Sequence, residues 1–115
     1  MSAVEMQHTD IGEVRKIILA GRLDSAGVDG IELRFGAVII PVGKHTVVDL
    51  TEVSFLASLG VRMFISTTRA LAAKGGKLAL FGAQPAVMEI IEVMGFDDIV
   101  PVVDSEAEAV ALVTG

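Results

Sequence analysis

The chain has 115 residues, of which 52% are hydrophobic, and a net charge of -6 at neutral pH. That length predicts a single domain covering residues 1–115, which can bury about two-thirds of its unfolded surface in one core. The acidic balance argues against nucleic-acid binding, because phosphate contacts need clustered lysine and arginine and the nine basic residues are scattered. The absence of cysteine excludes disulfides and thiolate metal sites, which fits a reducing cytoplasm.

Short-range sequence patterns also argue against a membrane-inserted or secreted protein and against a metal site. No apolar stretch reaches the roughly 20 residues that a membrane span needs, and the first five residues do not form a signal peptide. The two histidines, His8 and His45, stand at no recognised metal-ligand spacing. We therefore expect a cytoplasmic protein that does not insert into a membrane and that binds no metal and no cofactor.

The first third of the chain predicts a β-hairpin followed by a helix. Residues 4–8 alternate apolar and polar side chains as in a strand, residues 10–13 supply hairpin turn chemistry, and residues 14–20 form a second strand. A helix is predicted to begin near Ser25 and to end at Pro41. It is predicted to be weak, because three glycines lower its helix propensity.

The middle third predicts a strand, a loop, a helix and another strand. Residues 46–50 form the short β-branched run of a buried strand, and residues 51–58 are predicted to be a loop. Apolar residues then recur at helical spacing from Val61 onward. Ser58 stands three residues ahead of Val61, where an N-cap stands. Residues 77–81 are apolar on both faces, which predicts a central strand.

The last third predicts two helices on either side of an edge strand. Pro85 is placed for the first turn of a helix that ends at Gly95. A proline within residues 99–103 indicates an edge strand. Ser105 followed by Glu108 predicts the capping box of a terminal helix.

This β-β-α-β-α-β-α-β-α order predicts an α/β fold, a mixed and mostly parallel sheet of four to five strands with about four helices packed on it. Loops at the carboxyl ends of parallel strands share one edge of the sheet. We therefore expect residues 22–25, 51–58 and 82–84 to form one surface around Ser58. The outer side of the following helix would extend that surface through Arg62, Ser66 and Arg69.

Ser58 is the candidate functional residue of that surface. An N-cap serine accepts a backbone hydrogen bond worth roughly 1 kcal/mol, and its exposed hydroxyl lies at the positive end of a helix, where an added phosphate is tolerated. A phosphoacceptor and an unmodified helix cap both remain open. A hydrolase nucleophile is not favoured, because the leading glycine of a nucleophile elbow is missing and no base is identifiable. We predict that the protein is not an enzyme.

Segments along nearly the whole chain resemble the STAS domain of bacterial anti-sigma factor antagonists. The family pattern is a strand ending in Asp-Leu-Ser/Thr, a short apolar stretch, and then Asp-Ser-Ser/Thr-Gly-Leu/Val opening a helix. Residues 49–51 (Asp-Leu-Thr) and 55–62 (Phe-Leu-Ala-Ser-Leu-Gly-Val-Arg) match it in register. Residues 19–24 are similar to the family's Gly-x-Leu-Asp turn, and residues 95–101 to its C-terminal segment. The resemblance implies a STAS fold and places Ser58 at the phosphoacceptor position.

Two residues beside Ser58 depart from the family pattern. Ala57 stands where the family has aspartate, which lowers repulsion with a phosphate but removes a group that a kinase could recognise. Leu59 stands where the family has a second hydroxyl residue, which excludes a second phosphorylation there and favours a protein contact.

The resemblance implies a partner switch controlled by phosphorylation. The unphosphorylated protein would bind an anti-sigma factor that is also an ATP-binding serine kinase, and so free a sigma factor. Phosphorylation of Ser58 would end the association, and a serine phosphatase would restore it. The implied partner-binding residues are Asp24, Ser25, Ala57, Ser58, Leu59, Gly60, Arg62, Ser66 and Arg69, and the implied loop-ordering residues are Asp49 and Thr51.

Several alternatives stay open at this point. Asp24 touches the partner or only caps the following helix, and Arg62 and Arg69 are either contact residues or a solvated helix face. At the level of the whole protein, the alternative is a constitutive STAS adaptor subunit of a larger assembly, a signalling scaffold or a lipid-transport complex, without phosphoswitching.

Overall fold

A computed structural model describes residues 4–115 as five strands and four helices. In chain order they are β1 (Glu5–Ile11), β2 (Val14–Leu23), α1 (Ser25–Ile39), β3 (Thr46–Leu56), α2 (Ser58–Ala72), β4 (Leu78–Phe81), α3 (Pro85–Met94), β5 (Val102–Val103) and α4 (Glu106–Thr114). The order of elements is the predicted one. Within residues 4–115, no helix combines the length and the apolar character needed to cross a membrane.

The strands form one mixed sheet in the order β1-β2-β3-β4-β5. β1 is antiparallel to β2, and each later pair of neighbours is parallel. A helix lies in each connection between parallel strands, because such strands cannot be joined by a tight turn. The predicted α/β class with a mostly parallel sheet is confirmed.

Helices cover both faces of the sheet, but unequally. α1, α2 and α3 pack on one face, where their apolar side chains meet those of β2, β3 and β4. This larger core includes Val28, Phe35, Phe64, Val87 and Ile91 from the helices and Ile17, Leu19, Val48, Leu50 and Leu80 from the strands. α4 packs on the other face, where Ala109 and Val113 lie against the smaller cluster of Val47, Ala79 and Phe81.

Three predicted helix signals are present. Pro85 is the first residue of α3, and Gly95 ends that helix in the left-handed conformation (φ 63°), which glycine adopts without steric cost. Ser105 and Glu108 form the capping box of α4, with both hydrogen bonds made. These signals depend on neighbouring residues alone, which is why the sequence predicts them well.

The second and third strands are longer than predicted. β2 continues to Leu23 rather than ending near residue 20, and β3 continues to Leu56 rather than ending at residue 50. The predicted loop over residues 51–58 is therefore wrong, because only Ala57 separates β3 from α2.

Two β-bulges in β3 explain the difference. Its register with β2 shifts twice by one extra β3 residue, as the paired residues pass from Ile18–Asp49 to Ala20–Glu52 and from Gly21–Val53 to Arg22–Phe55. Each extra residue resets the alternation of inward and outward side chains. Leu50, Val53 and Leu56 therefore all face the larger core although they are three residues apart. A period of three is not the period of two by which a strand is recognised.

Candidate functional site

Ser58 lies where two neighbouring parallel strands end. Leu23 and Leu56 are paired at the ends of β2 and β3, and the Ala57 amide donates a hydrogen bond to the Leu23 carbonyl at 2.9 Å. α2 then begins directly at Ser58, whose side chain is exposed. The strand-to-helix junction predicted from the sequence is therefore present, with the serine at its tip.

The N-cap of α2 is Ala57, not Ser58. Ala57 has an extended backbone (φ -105°, ψ 172°), and its carbonyl accepts hydrogen bonds from the amides of Gly60 at 2.9 Å and Val61 at 3.2 Å. The predicted cap was displaced because β3 runs on to Leu56, so the helix begins before its first apolar repeat. No side chain caps α2, and its first turn holds no acidic residue. The positive end of α2 is thus uncompensated.

α1 also begins one residue after a strand, but unlike α2 it has a side chain that caps its first turn. The Asp24 Oδ1 atom accepts a hydrogen bond from the Gly27 amide at 2.9 Å. That bond, together with the Arg22 guanidinium 3.5 Å from the second carboxylate oxygen, lowers the pKa of Asp24 below its usual value. Of the two roles left open for Asp24, the structure shows the helix cap. Ser25 is the first residue of α1 and is exposed, so it is the positional counterpart of Ser58.

Replacing Asp24 with alanine is expected to destabilise the protein in a pH-dependent way. Because the folded-state pKa lies below the unfolded value of about 3.9, the ionised carboxylate contributes stability above that pH. The contribution is lost as the pH falls through the lowered folded-state pKa. Thermal unfolding should therefore show a lower midpoint for Asp24→Ala at neutral pH and a shrinking difference toward acid. Asp98→Ala, which removes an exposed carboxylate, is the control; equal midpoints for Asp24→Ala and the unaltered protein at neutral pH would contradict the cap.

Arg22 and Phe55 form a contact beside this junction that the sequence analysis missed. The Arg22 guanidinium carbon lies 4.4 Å from the centroid of the Phe55 ring, a cation–π arrangement. Because Arg22 also approaches Asp24, the contact joins the end of β3 to the start of α1. No sequence signal identifies it, since the two residues become partners only through the second register shift.

Asp49 and Thr51 order the first bulge of β3 rather than a loop. The Asp49 Oδ1 atom accepts hydrogen bonds from the Thr51 amide at 2.9 Å and from the Thr51 hydroxyl. The Gln84 side-chain amide donates to the Thr51 carbonyl at 2.8 Å. Gly82 allows this close approach: its φ is +75°, and a Cβ there would lie 2.8 Å from the Thr51 methyl carbon. The ordering role predicted for Asp49 and Thr51 thus has a physical basis inside a strand.

The loop after β4 does not reach Ser58. Phe81, the last residue of β4, pairs with Asp49, which is seven residues before the end of β3. At about 3.3 Å per strand residue, β3 extends on the order of 20 Å beyond that pair. Residues 82–84 therefore lie beside Thr51, and the prediction that three loops surround Ser58 is wrong. The loops that follow β2 and β3 do meet.

The predicted contact residues differ in exposure. Ser25, Ser58, Arg62, Ser66 and Arg69 are exposed, Asp24, Ala57 and Leu59 are half-buried, and Gly60 is buried. A Cβ on Gly60 would lie 2.7 Å from the Leu56 Cδ1 atom and 3.2 Å from the Leu23 Cβ atom. Gly60 thus lets the start of α2 pack against the ends of both strands, and it is not a surface contact.

Four of the exposed residues form a line along the outer side of α2. We call Ser58, Arg62, Ser66 and Arg69 the α2 stripe; their spacing of three or four residues places them on one helix face. Neither arginine forms an ion pair with another residue between 4 and 115. The α2 stripe is therefore a basic surface with a serine hydroxyl at its head, on a chain whose net charge is -6.

This arrangement offers recognition chemistry rather than an activated nucleophile. A serine nucleophile needs a base within hydrogen-bond reach. His45 directly precedes β3 and Ser58 follows it, so an eleven-residue strand separates them. His8 lies within β1, on the opposite side of β2 from β3. Two arginines on the same helix face as an exposed hydroxyl suit a contact with an acidic surface.

Comparison with known proteins agrees with this fold. The STAS domain family model matches residues 5–109. The anti-sigma-B factor antagonist of Listeria monocytogenes is 26% identical over 106 residues, which cover 92% of each chain. The crystal structure of an anti-sigma factor antagonist from Mycobacterium paratuberculosis is similar with a TM-score of 0.88 at 24% identity, covering 97% of this chain and 95% of that one. The Bacillus cell fate determinant SpoIIAA in its phosphorylated form has a TM-score of 0.66 at 24% identity, covering 95% of this chain and 99% of that one. Because the family model spans most of its length, this chain belongs to the STAS domain family.

Proposed function

We propose that this protein is an anti-sigma factor antagonist whose binding is switched off by phosphorylation of Ser58. Its relatives bear the name of anti-sigma factor antagonist, and one of them has been solved in a phosphorylated form. The main structural support is the exposed serine at the head of a basic helix face, where the α2 stripe is free to meet a protein partner. The partner class that fits is an anti-sigma factor that is also an ATP-binding serine kinase.

In the unphosphorylated form the binding surface is basic at its centre and partly apolar at its edge. Arg62 and Arg69 supply two positive charges, and the half-buried Leu59 and Ala57 border Ser58. Ser25 and the Asp24 cap lie at the start of α1 close by, since Asp24 and Ala57 directly follow the paired residues that end β2 and β3. We expect acidic residues on the partner to face the two arginines, because complementary charge fixes the orientation of a complex.

A phosphate on Ser58 would remove this complementarity. Phosphoserine carries about -1.5 to -2 charges at neutral pH, so it would nearly cancel the two arginines of the α2 stripe. Ser58 and Arg62 are four residues apart on one helix, a spacing that allows a direct ion pair. The phosphate would therefore engage Arg62 within the chain and repel the acidic partner surface at the same time.

The fold itself is expected to tolerate the phosphate. The first turn of α2 has no acidic residue and no side-chain cap, so a negative group there meets the uncompensated positive end of the helix. Ala57 adds no neighbouring carboxylate that would repel it. The switch would thus operate through surface charge on a rigid fold, and a serine phosphatase would restore the binding form.

Localisation of phosphate in the protein taken from its source cells is the first test. Intact mass followed by site mapping should show a phosphorylated fraction confined to Ser58. Ser25 is the internal control, because it has the same helical position and exposure but lies beside the Asp24 carboxylate. Protein that is unmodified under every growth condition would contradict the switch and would favour a constitutive adaptor subunit of a signalling scaffold or lipid-transport complex.

A further inference from the structure

The two edges of the sheet are built very differently. β5 has only two residues and directly follows Pro101, features that protect an edge from further pairing. β1 has seven residues, Glu5–Ile11, and pairs with β2 over all seven without a register shift. It contains no proline and no lysine. On its other side, no strand from the described part of the chain pairs with it. A long, regular edge of this kind is a template for another strand.

The hairpin geometry determines which backbone groups of β1 are available. The turn between β1 and β2 has two residues, Gly12 and Glu13, so the flanking pair Ile11–Val14 exchanges both of its hydrogen bonds. Bonded and non-bonded pairs alternate along an antiparallel ladder. The odd-numbered residues of β1 therefore bond to β2, and the amides and carbonyls of Met6, His8 and Asp10 point away from the sheet.

We propose that β1 pairs with β1 of a second copy of this chain, antiparallel and about a two-fold axis. The free amides and carbonyls of β1 belong to even-numbered residues. In any register that uses them, an even-numbered residue of one copy stands opposite an even-numbered residue of the other, and odd-numbered residues stand opposite odd-numbered ones. Glu5 can then never stand opposite Asp10 of the partner copy. In every such register with five or more paired residues, Glu5 does not stand opposite Glu5 of the second copy, and Asp10 does not stand opposite Asp10. The strand is thus complementary to itself without charge repulsion.

One register adds a favourable contact. When Thr9 lies on the two-fold axis, His8 of each copy stands opposite Asp10 of the other, and both side chains are exposed. Asp10 already forms ion pairs with Arg15 at 3.1 Å and Lys44 at 3.3 Å within its own copy, so the neutral imidazole would join that cluster as a hydrogen-bonding neighbour. Cross-strand pairs of opposite or hydrogen-bonding character stabilise an antiparallel ladder. The pairing closes as a dimer, because a two-fold interface uses the same edge on both copies and the other edge ends in the protected β5. It leaves the α2 stripe of both copies uncovered, so it is independent of the proposed switch.

Sedimentation over a range of protein concentrations tests the dimer. We expect a weak monomer–dimer equilibrium that His8→Pro shifts toward the monomer, because proline removes an amide that points to the partner copy and not to β2. The dissociation constant should rise at least about tenfold. His8→Asp keeps the backbone amide and places a second acid opposite Asp10, so it should weaken the dimer without disturbing the hairpin. Arg62→Ala, on the α2 stripe, is the control and should dimerise normally.

Hydrogen exchange gives a readout that is specific to the edge. The amides of Met6, His8 and Asp10 should gain protection as concentration rises, whereas those of Gln7 and Thr9 should be protected at every concentration by β2. A monomer at all concentrations, or a dimer that neither variant of His8 weakens, would overturn the proposal. Protection of the same three amides only in the presence of an extended segment from another protein would overturn it as well, and would assign the edge to that partner.

Discussion

Replacing Ser58 with aspartate is expected to weaken binding to the anti-sigma factor by about a hundredfold, which corresponds to about 3 kcal/mol. The added carboxylate stands at the head of the α2 stripe, where it reduces the positive charge of Arg62 and Arg69 and faces the acidic partner surface that we propose. Ser58→Ala adds no charge and should bind like the unaltered protein. Titration calorimetry without ATP measures all three affinities while the kinase cannot modify Ser58.

Two controls separate the switch from a folding defect. Ala86→Asp introduces the same charge in the exposed first turn of α3, which starts beside Thr51 rather than beside Ser58, and should lower affinity far less. The melting temperature of Ser58→Asp should not fall, because an acid in the first turn of a helix is favourable by about 0.3–1 kcal/mol. Equal affinities for Ser58→Asp and Ser58→Ala would contradict the switch and support the constitutive adaptor.

The sequence predicts the order of elements because the signals that define most of them are local. The capping box of α4, the proline that opens α3 and the glycine that ends it each involve residues at most a few positions apart. These signals keep their meaning in any tertiary context. The mixed sheet then follows from the order of strands and helices, since parallel strands require a helical crossover.

The shape of the site could be predicted only in part, because the register between β3 and β2 cannot be deduced from the residues of β3 alone. Its two bulges are defined by pairing with β2. Without them, the apolar residues at positions 50, 53 and 56 read as an irregular loop. The same register decides that Arg22 stacks on Phe55. The pairing of Phe81 with Asp49 leaves residues 82–84 beside Thr51. The predicted position of Ser58 at the junction of β3 and α2 agrees with the structure, whereas the predicted cap role is wrong, because the start of the helix depends on where β3 ends.

The packing below α2 explains how a charge change at Ser58 can act without a change of shape. The start of the helix is held by the Ala57 hydrogen bond to Leu23 and by the close packing of Gly60 against Leu23 and Leu56. On the inner face of the helix, Phe64 is fully buried in the larger core. A helix fixed at its start and along its length presents the α2 stripe in one position, so in the proposed switch the affinity for the partner would depend on the charges that the stripe displays.

Phe64→Ala is expected to lower the free energy of unfolding by about 3–5 kcal/mol. Phe64 is fully buried in the larger core. Its ring centroid lies 5.8 Å from that of Phe35 at an interplanar angle of 63°, an edge-to-face contact that joins α2 to α1. Urea unfolding followed by circular dichroism measures the loss. Leu33→Ala is the matched control, because Leu33 lies on α1 but is 90% exposed, and its truncation should change stability by less than about 0.5 kcal/mol.

Variants of Phe35 and Phe64 also distinguish an effect on stability from an effect on partner binding. If Phe35 and Phe64 act together, the double alanine variant should lose less than the sum of the single losses, by about 0.5–1.5 kcal/mol. Phe64 lies on the inner face of α2, opposite the α2 stripe, so the fraction of Phe64→Ala that remains folded should bind the anti-sigma factor with little change in affinity. A loss of stability below about 1 kcal/mol would contradict the tight packing described here. A large loss of affinity in fully folded Phe64→Ala would show that the stripe depends on the exact seating of its helix, and that Ser58 acts through shape as well as charge.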